Sequence, residues 1–344
     1  MSHIPRILEP QCEWTAPDVA DEETWTEHFD EAEQSEIDAA LRHALAKTDD
    51  ILALGRDDFP LPTLQQRLAR IEDELINGRG FVRLRGVDRR SYTQREMEIV
   101  YWGIGSHLGL PWAQNKHGHV LGDVTDQQKA VNDPTARGNE LGGIALPFHC
   151  DGSDLVGLMC LENGIAGGLS TVASSVRIHN ELVSARPDLA AALYEPYPYD
   201  FRGEQAAGGA PYYLVPVFTE WEGRLFVRCI PPYILASQAH PDCPRLTDVQ
   251  REALDALVEM ANDPTNHVQM ELLPGDMQFI DNYHVMHGRT AYEDAREQGR
   301  VRHLKRLWLE TTVLANRPQY FENRSHWNER RTASRLQVAA PTDR

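Results

Sequence analysis

From Pro111 onward the chain reads as short extended runs broken by Gly, Pro and Asn, and that pattern restricts the fold more than any other feature. Residues 144–150 look extended, 155–161 read as a buried strand, and Gly167-Gly168 precede another strand at 170–173. Residues 212–218 and 224–230 read as strands around Glu222-Gly223, a hairpin signal. A long strand is expected at 278–287 after the turn Pro274-Gly275-Asp276, and a last one at 301–309. Helices are expected at 176–185 and 187–195, the second opened by Pro187. Another is capped by Thr247 with Gln250 and carries Leu254, Leu257 and Met260. The sum is a β-rich domain with helical padding.

Before Pro111 the periodicity is helical. A first amphipathic helix is expected from Ser35, with Ile37, Leu41 and Leu45 on one face. A second starts at Thr63, which forms a capping box with Gln66, carries Leu64, Leu68, Ile71 and Leu75, and stops at Asn77-Gly78. A short strand follows at 80–85. A third helix runs from Ser91, with Gln94 as capping partner and Met97, Val100, Tyr101, Ile104 and Leu108 buried. Residues 1–33 are acidic and irregular, anchored by Trp14 and Trp25, and the polar tail after Thr312 is expected to drape over the surface. No repeat or linker divides the chain. The expectation is one domain over about 1–344, with a helical extension at about 1–79, a core at about 80–312 and a tail at 313–344.

Hydrophobic residues make up 41% of the chain, enough for a substantial core, and the formal charge of −18 argues against sequence-independent binding of nucleic acid. Five scattered cysteines without C-x-x-C spacing fit a reducing compartment. With no signal-peptide pattern and no long apolar run, a soluble, cytoplasmic protein without a membrane partner is expected. A small-molecule substrate is expected, and a homo-oligomer is compatible with all of this.

The chemistry centres on Phe148-His149-Cys150-Asp151. In an extended segment, side chains two apart face the same way, so His149 and Asp151 aim an imidazole and a carboxylate into one space. That is two-thirds of a 2-His-1-carboxylate iron site. A His and an Asp two apart are common on surfaces, so the pair needs a third ligand. His267, His284, His287 and His303 are the candidates. His284 and His287 are three apart and face opposite ways in a regular strand; His287, before Gly288, is modestly favoured. Arg302 and Arg306 share a face with Leu304. A buried arginine needs an anionic partner, which a dicarboxylate chelating the metal would supply, although a solvated edge strand would show the same alternation. Trp112, Gln114 and Asn115, in the loop 112–116, border a pocket on one reading and are polar surface on the other.

Together, His149-x-Asp151, Gly167-Gly168, Pro274-Gly275-Asp276, His287-Gly288-Arg289-Thr290-Ala291-Tyr292 and Arg302-His303-Leu304-Lys305-Arg306-Leu307-Trp308 resemble the taurine dioxygenase-like (TauD/TfdA) family of Fe(II)- and 2-oxoglutarate-dependent oxygenases. The resemblance implies a mainly β fold with flanking helices, a double-stranded β-helix (jelly roll, clavaminate synthase-like). It also implies Fe(II), 2-oxoglutarate and O2 as cofactor and co-substrates, and oxidation, most simply hydroxylation, of an unactivated C–H bond with release of succinate and CO2. Carried over by motif, His149, Asp151 and His287 become the catalytic iron ligands. Arg302 grips the distal carboxylate of 2-oxoglutarate, Ser170 or Thr171 assists, and Arg306 meets co-substrate or substrate. Trp112, Gln114, Asn115 and Arg306 are the substrate-pocket candidates. Ala145-Leu146-Pro147-Phe148 departs from the Asn-x-x-Trp lead of taurine dioxygenase, which argues against taurine as substrate, and the Asp151 carboxylate argues against halogenation. Two other classes compete. A cupin-like metal protein would not need Arg302 in register with His287, and a zinc hydrolase would need neither 2-oxoglutarate nor O2.

Overall fold

The computed structural model describes residues 4–115, 117–130, 137–314, 316–318 and 321. Two sheets face each other at its centre. In the larger, the strands run in the order Thr26–His28, Phe81–Arg85, Met277–Asp281, Leu155–Glu162, His303–Glu310 and Leu110–Pro111, with Leu121–Thr125 also paired to His303–Glu310. In the smaller, the order is His267–Met270, Ser170–Ser174, Val285–Arg289 and Leu146–His149. Thr26–His28 pairs parallel to Phe81–Arg85, and the remaining pairings in these two sheets are antiparallel. Strands distant in sequence lie side by side. This is the double-stranded β-helix, a jelly roll with flanking helices.

The two-residue period of each strand sorts its side chains into layers. On Leu155–Glu162, Leu155, Met159 and Leu161 join a core shared with helices, while Val156 and Cys160 join the core between the sheets. His303–Glu310 does the same, with Leu307 and Leu309 outward and Leu304 and Trp308 inward. Helices Glu31–Lys47, Leu64–Asn77 and Gln94–Leu108 cover the larger sheet. Helices Ser175–Ala185, Pro187–Leu193 and Asp248–Asn262 pack over Ala173 and Met286 of the smaller one. Burying a leucine or valine stabilises by about 1.5–3 kcal/mol, so a strand apolar on two faces is fixed in register by both.

Several element boundaries differ from expectation for identifiable reasons. The first helix begins at Glu31 because Asp30 and Glu33 form a reciprocal capping box, and its buried stripe is Ile37, Ala40, Leu41 and Ala44, leaving Leu45 exposed. The third begins at Gln94, capped by Thr93 with Glu96 instead of Ser91 with Gln94. The second has the expected span, but Thr63 makes no side-chain cap. Glu36 of the first helix accepts the Thr63 and Leu64 N–H groups at 2.8 and 3.1 Å, so a tertiary carboxylate replaces the local partner. Trp14 and Trp25 do anchor the N-terminal segment, with ring centroids 5.2 and 5.7 Å from that of Phe81.

The expected strand at 278–287 is two strands. Met277–Asp281 belongs to the larger sheet and Val285–Arg289 to the smaller, and residues 282–284 carry the chain across. Asp281 fixes that turn, its Oδ1 accepting the Tyr283 N–H at 2.9 Å. The Glu222-Gly223 hairpin joins Phe218–Trp221 to Arg224–Val227, whereas Tyr212–Pro216 pairs with a strand the sequence reading missed, Pro196–Asp200. Nor does the start of the tail lie on the surface. Leu314 and Phe321 are buried, and Arg317 pairs with Asp154 at 2.8 Å and Glu310 at 3.0 Å. Residues 322–344 lie outside the described residues.

Candidate metal centre and co-substrate cavity

His287 and His149 are register partners on adjacent strands of the smaller sheet, with ring centroids 4.2 Å apart. Asp151 follows just past the end of Leu146–His149. Ligand atoms of the three residues lie within 4.8 Å of one another, and each histidine Nε2 is 3.8 Å from an Asp151 carboxylate oxygen. Two imidazoles and one carboxylate gathered at the wall of a cavity suit Fe(II). The other candidate histidines are committed elsewhere. His284 lies in the turn between the sheets, 3.1 Å from Glu9 and 3.4 Å from Asp281. His267 Nδ1 is 3.0 Å from the Asp263 carbonyl, and His303 is 2.6 Å from Asp123.

The surroundings prepare each candidate ligand. His149 Nδ1 donates to the Pro147 carbonyl at 2.9 Å, which leaves the Nε2 lone pair toward Asp151. Asp151 Oδ2 accepts from Arg306 Nη1 at 3.0 Å and Trp308 Nε1 at 2.9 Å, leaving Oδ1 for a metal. Burial alone would raise the Asp151 pKa, but the Arg306 charge, then His287, His149 and the Trp308 N–H, outweigh it and hold the carboxyl below the usual carboxylate range. Burial first, then the charge of His149, push His287 down to about 3, so its ring is neutral at pH 7. Asn282 clamps the loop itself: its Oδ1 accepts the Asp151 N–H at 2.6 Å, and its Nδ2 donates to the Asp151 and Ser153 carbonyls at 2.9 and 2.7 Å.

The centre opens on a cavity of about 900 Å³ between the sheets. Arg302, Leu304, Arg306 and Trp308 all line it, so the expected shared face of the two arginines holds. Arg302 is only 4% exposed, yet its Nε and Nη1 have no partner among the described residues; Nη2 donates to the Gly168 carbonyl at 3.0 Å. A buried guanidinium with two unsatisfied nitrogens fits an anion. Gly168, at φ +74°, makes room for it, since a Cβ there would sit 2.6 Å from Arg302 Nε. Gly168→Ala is therefore expected to displace Arg302, with a backbone cost of about 1–2 kcal/mol, read as a lower melting temperature and weaker 2-oxoglutarate binding.

Other expected site residues divide. Ser170 lines the cavity and its Oγ donates to Gln278 Oε1 at 2.6 Å. Thr171 does not line it: it pairs with Gly288, and its Oγ1 would lie 2.8 Å from a Cβ built there, on the opposite face from His287 and Arg289. Gln114 lines the cavity but is a brace, its Oε1 accepting from Arg306 Nε at 2.8 Å while its Nε2 donates to the Val120 and Arg306 carbonyls. Trp112 packs in the core with Val124 and Trp308, and Asn115 Oδ1 accepts the backbone N–H groups of His117 and His119 in its own loop; neither lines the cavity. Lys116 lies outside the described residues.

The cavity-lining residues Trp308, Arg289, Arg228 and Tyr213, and the clamp Asn282, were missed at the sequence level. The alternation that singled out Arg302 and Arg306 continues to Trp308, and His287 shares its face with Arg289, so those two were findable. Arg228, Tyr213 and Asn282 carry no local signal. Trp308→Phe, which keeps an aromatic ring but removes the N–H on Asp151, is expected to lower Fe(II) affinity or turnover by about 10–100-fold, measured by Fe(II) titration and succinate release.

The family model "Taurine catabolism dioxygenase TauD, TfdA family" matches residues 42–308. The chain belongs to this family. The match begins inside the first helix, well before residue 80, where the core was expected to start. This TauD, TfdA family chain is 34% identical over 304 residues to FR-33289 synthase of Streptomyces rubellomurinus, covering 86% of this chain and 88% of that protein. It is 29% identical over 313 residues to a taurine hydroxylase-like protein of Stachybotrys chartarum, covering 87% and 79%. An asparagine oxygenase solved with Fe(II), 2S,3S-3-hydroxyasparagine and succinate matches with TM-score 0.63 at 20% identity, over 86% of this chain and 97% of that one. The non-heme iron oxygenase OrfP, solved with Fe and alpha-ketoglutaric acid, matches at 0.61 and 20%, over 83% and 94%. These two structures share the fold.

Proposed function

We propose that this protein is an Fe(II)- and 2-oxoglutarate-dependent dioxygenase that hydroxylates an unactivated C–H bond of a small organic substrate. The observation that carries the reading is the pairing of the His149, Asp151 and His287 cluster with the unsatisfied Arg302 guanidinium in one cavity. His149 Nε2, Asp151 Oδ1 and His287 Nε2 would hold the iron; Arg302 would hold the distal carboxylate of 2-oxoglutarate, with Ser170 beside it. Bound there, iron and 2-oxoglutarate supply an oxidant, as O2 is consumed and 2-oxoglutarate becomes succinate and CO2. The chain's own residues orient and exclude. Arg306 and Trp308 fix the Asp151 carboxylate, Gln114 fixes Arg306, and Leu158, Leu304 and Leu146 give the cavity apolar walls that keep water from the reacting centre. Relatives named enduracididine beta-hydroxylase and FR-33289 synthase support a small-molecule substrate. Five free, buried cysteines support a cytoplasmic site of action, and among the described residues no helix is long and apolar enough to cross a membrane.

The test is anaerobic. Fe(II) and then 2-oxoglutarate are added to the metal-free protein, and a weak visible charge-transfer band is expected only after both. The band should be absent in His287→Ala. Tight Fe(II) binding with no band would contradict the co-substrate role and favour a metal protein of the cupin-like or hydrolase kind.

A further inference from the structure

The cavity holds more positive charge than the metal centre and its co-substrate use. Arg306 is matched by Asp151, and Arg137 forms an ion pair with Glu204. Arg289, Arg302 and Arg228 instead donate to neutral oxygens. Arg289 Nη2 donates to the Leu141 and Ile144 carbonyls at 3.3 and 2.7 Å, and Arg302 to that of Gly168. These two share one aromatic ring: the guanidinium carbons of Arg289 and Arg302 lie 4.6 and 5.3 Å from the centroid of Tyr292. One carboxylate of the co-substrate accounts for that end of the cavity.

Arg228 stands elsewhere. Its Nη1 donates to the Asp151 carbonyl at 2.7 Å and its Nη2 to the Tyr213 hydroxyl at 3.0 Å, and both side chains line the cavity. Because the Tyr213 oxygen accepts from Arg228, its own proton points away from Arg228, and among the described residues it has no acceptor. A guanidinium and a phenol O–H, held together next to the metal loop, form a donor pair that, among the described residues, has no carboxylate hydrogen-bonded to it. Arg306, the other arginine near Asp151, has Nε on Gln114 and Nη1 on Asp151.

We infer that Arg228 and Tyr213 receive an acidic group of the primary substrate, a carboxylate, sulfonate or phosphonate. This rests on the cavity being the oxygenase active site proposed above. It assigns the substrate's acid to a residue pair separate from the Arg302 end and from Arg306. Since Arg228 also grips the Asp151 carbonyl, substrate docking bears directly on the loop that carries the carboxylate ligand.

The test uses the protein loaded anaerobically with Fe(II) and 2-oxoglutarate, at fixed ionic strength, so that no turnover is needed. Butanoate, propane-1-sulfonate, propylphosphonate and the neutral butanamide are titrated against the charge-transfer band and the melting temperature. At least one acid is expected to shift both, and butanamide neither. The acid that binds most tightly identifies the charge class. Tyr213→Phe, which leaves the Arg228 contact with Asp151 in place, is expected to weaken acid binding at least tenfold with the band itself intact. Arg228→Lys is expected to retain part of the affinity. Equal binding of butanamide, wild-type affinity in both variants, or no response to any acid would overturn the inference while the band persists. Loss of the band in the unaltered protein would instead remove the oxygenase reading beneath it.

Discussion

Asp151→Ala is expected to end succinate formation and to remove Fe(II) binding with it. The substitution deletes one of three donors, and it also strips Arg306 Nη1 and Trp308 Nε1 of the oxygen they hold at 3.0 and 2.9 Å. Changes to such supporting contacts alone cost about 10–100-fold, so loss of the ligand itself should exceed that range. The fold should survive, because Asn282 and Arg228 grip the main chain of residue 151 and not its carboxylate. Equilibrium dialysis of Fe(II) and chromatographic measurement of succinate check the two effects separately. A variant that kept most of its turnover would take Asp151 out of the ligand set.

Arg302→Ala should behave differently. Losing one partner of a buried, hydrogen-bonded charge pair costs about 3 kcal/mol or more, on the order of a 100-fold rise in the 2-oxoglutarate requirement. Fe(II) affinity should be unchanged, because Arg302 does not contact the ligand cluster. Without co-substrate, Arg302 leaves two buried nitrogens unsatisfied and carries the same charge as nearby Arg289. Its removal is therefore expected to leave the melting temperature of the metal-free protein unchanged or higher. The stabilisation that 2-oxoglutarate gives the iron-loaded protein should largely disappear. An unaltered 2-oxoglutarate requirement would move the carboxylate site away from Arg302.

Strand periodicity made much of this legible in the sequence. A two-residue repeat placed Arg302 and Arg306 on one face, and the run continues through Trp308. The same rule failed at 278–287, because a repeat cannot register that a chain leaves one sheet for another. His287 was thus favoured for an incomplete reason: His284 is turned away by the crossing at 282–284, not by alternation along one strand. Thr171 was set beside Ser170 by motif, but adjacent strand residues face opposite ways, and only Ser170 meets the cavity. Thr63 was assigned a local capping box that Glu36 pre-empts from another helix. Arg228, Tyr213 and Asn282 were invisible because their meaning lies wholly in partners far along the chain.

The Asn282 clamp has a consequence for when the enzyme becomes competent. Asn282 and Asp151 are 131 residues apart, and His149 meets His287 across a comparable span. Closing loops of this length carries an entropy cost that must be met before the contacts stabilise anything. During synthesis, His149 and Asp151 emerge long before either partner, so a chain shorter than 287 residues offers only two of the three donors. A complete set of donors therefore exists only once residue 287 has been made and the crossing at 282–284 has brought the two sheets together.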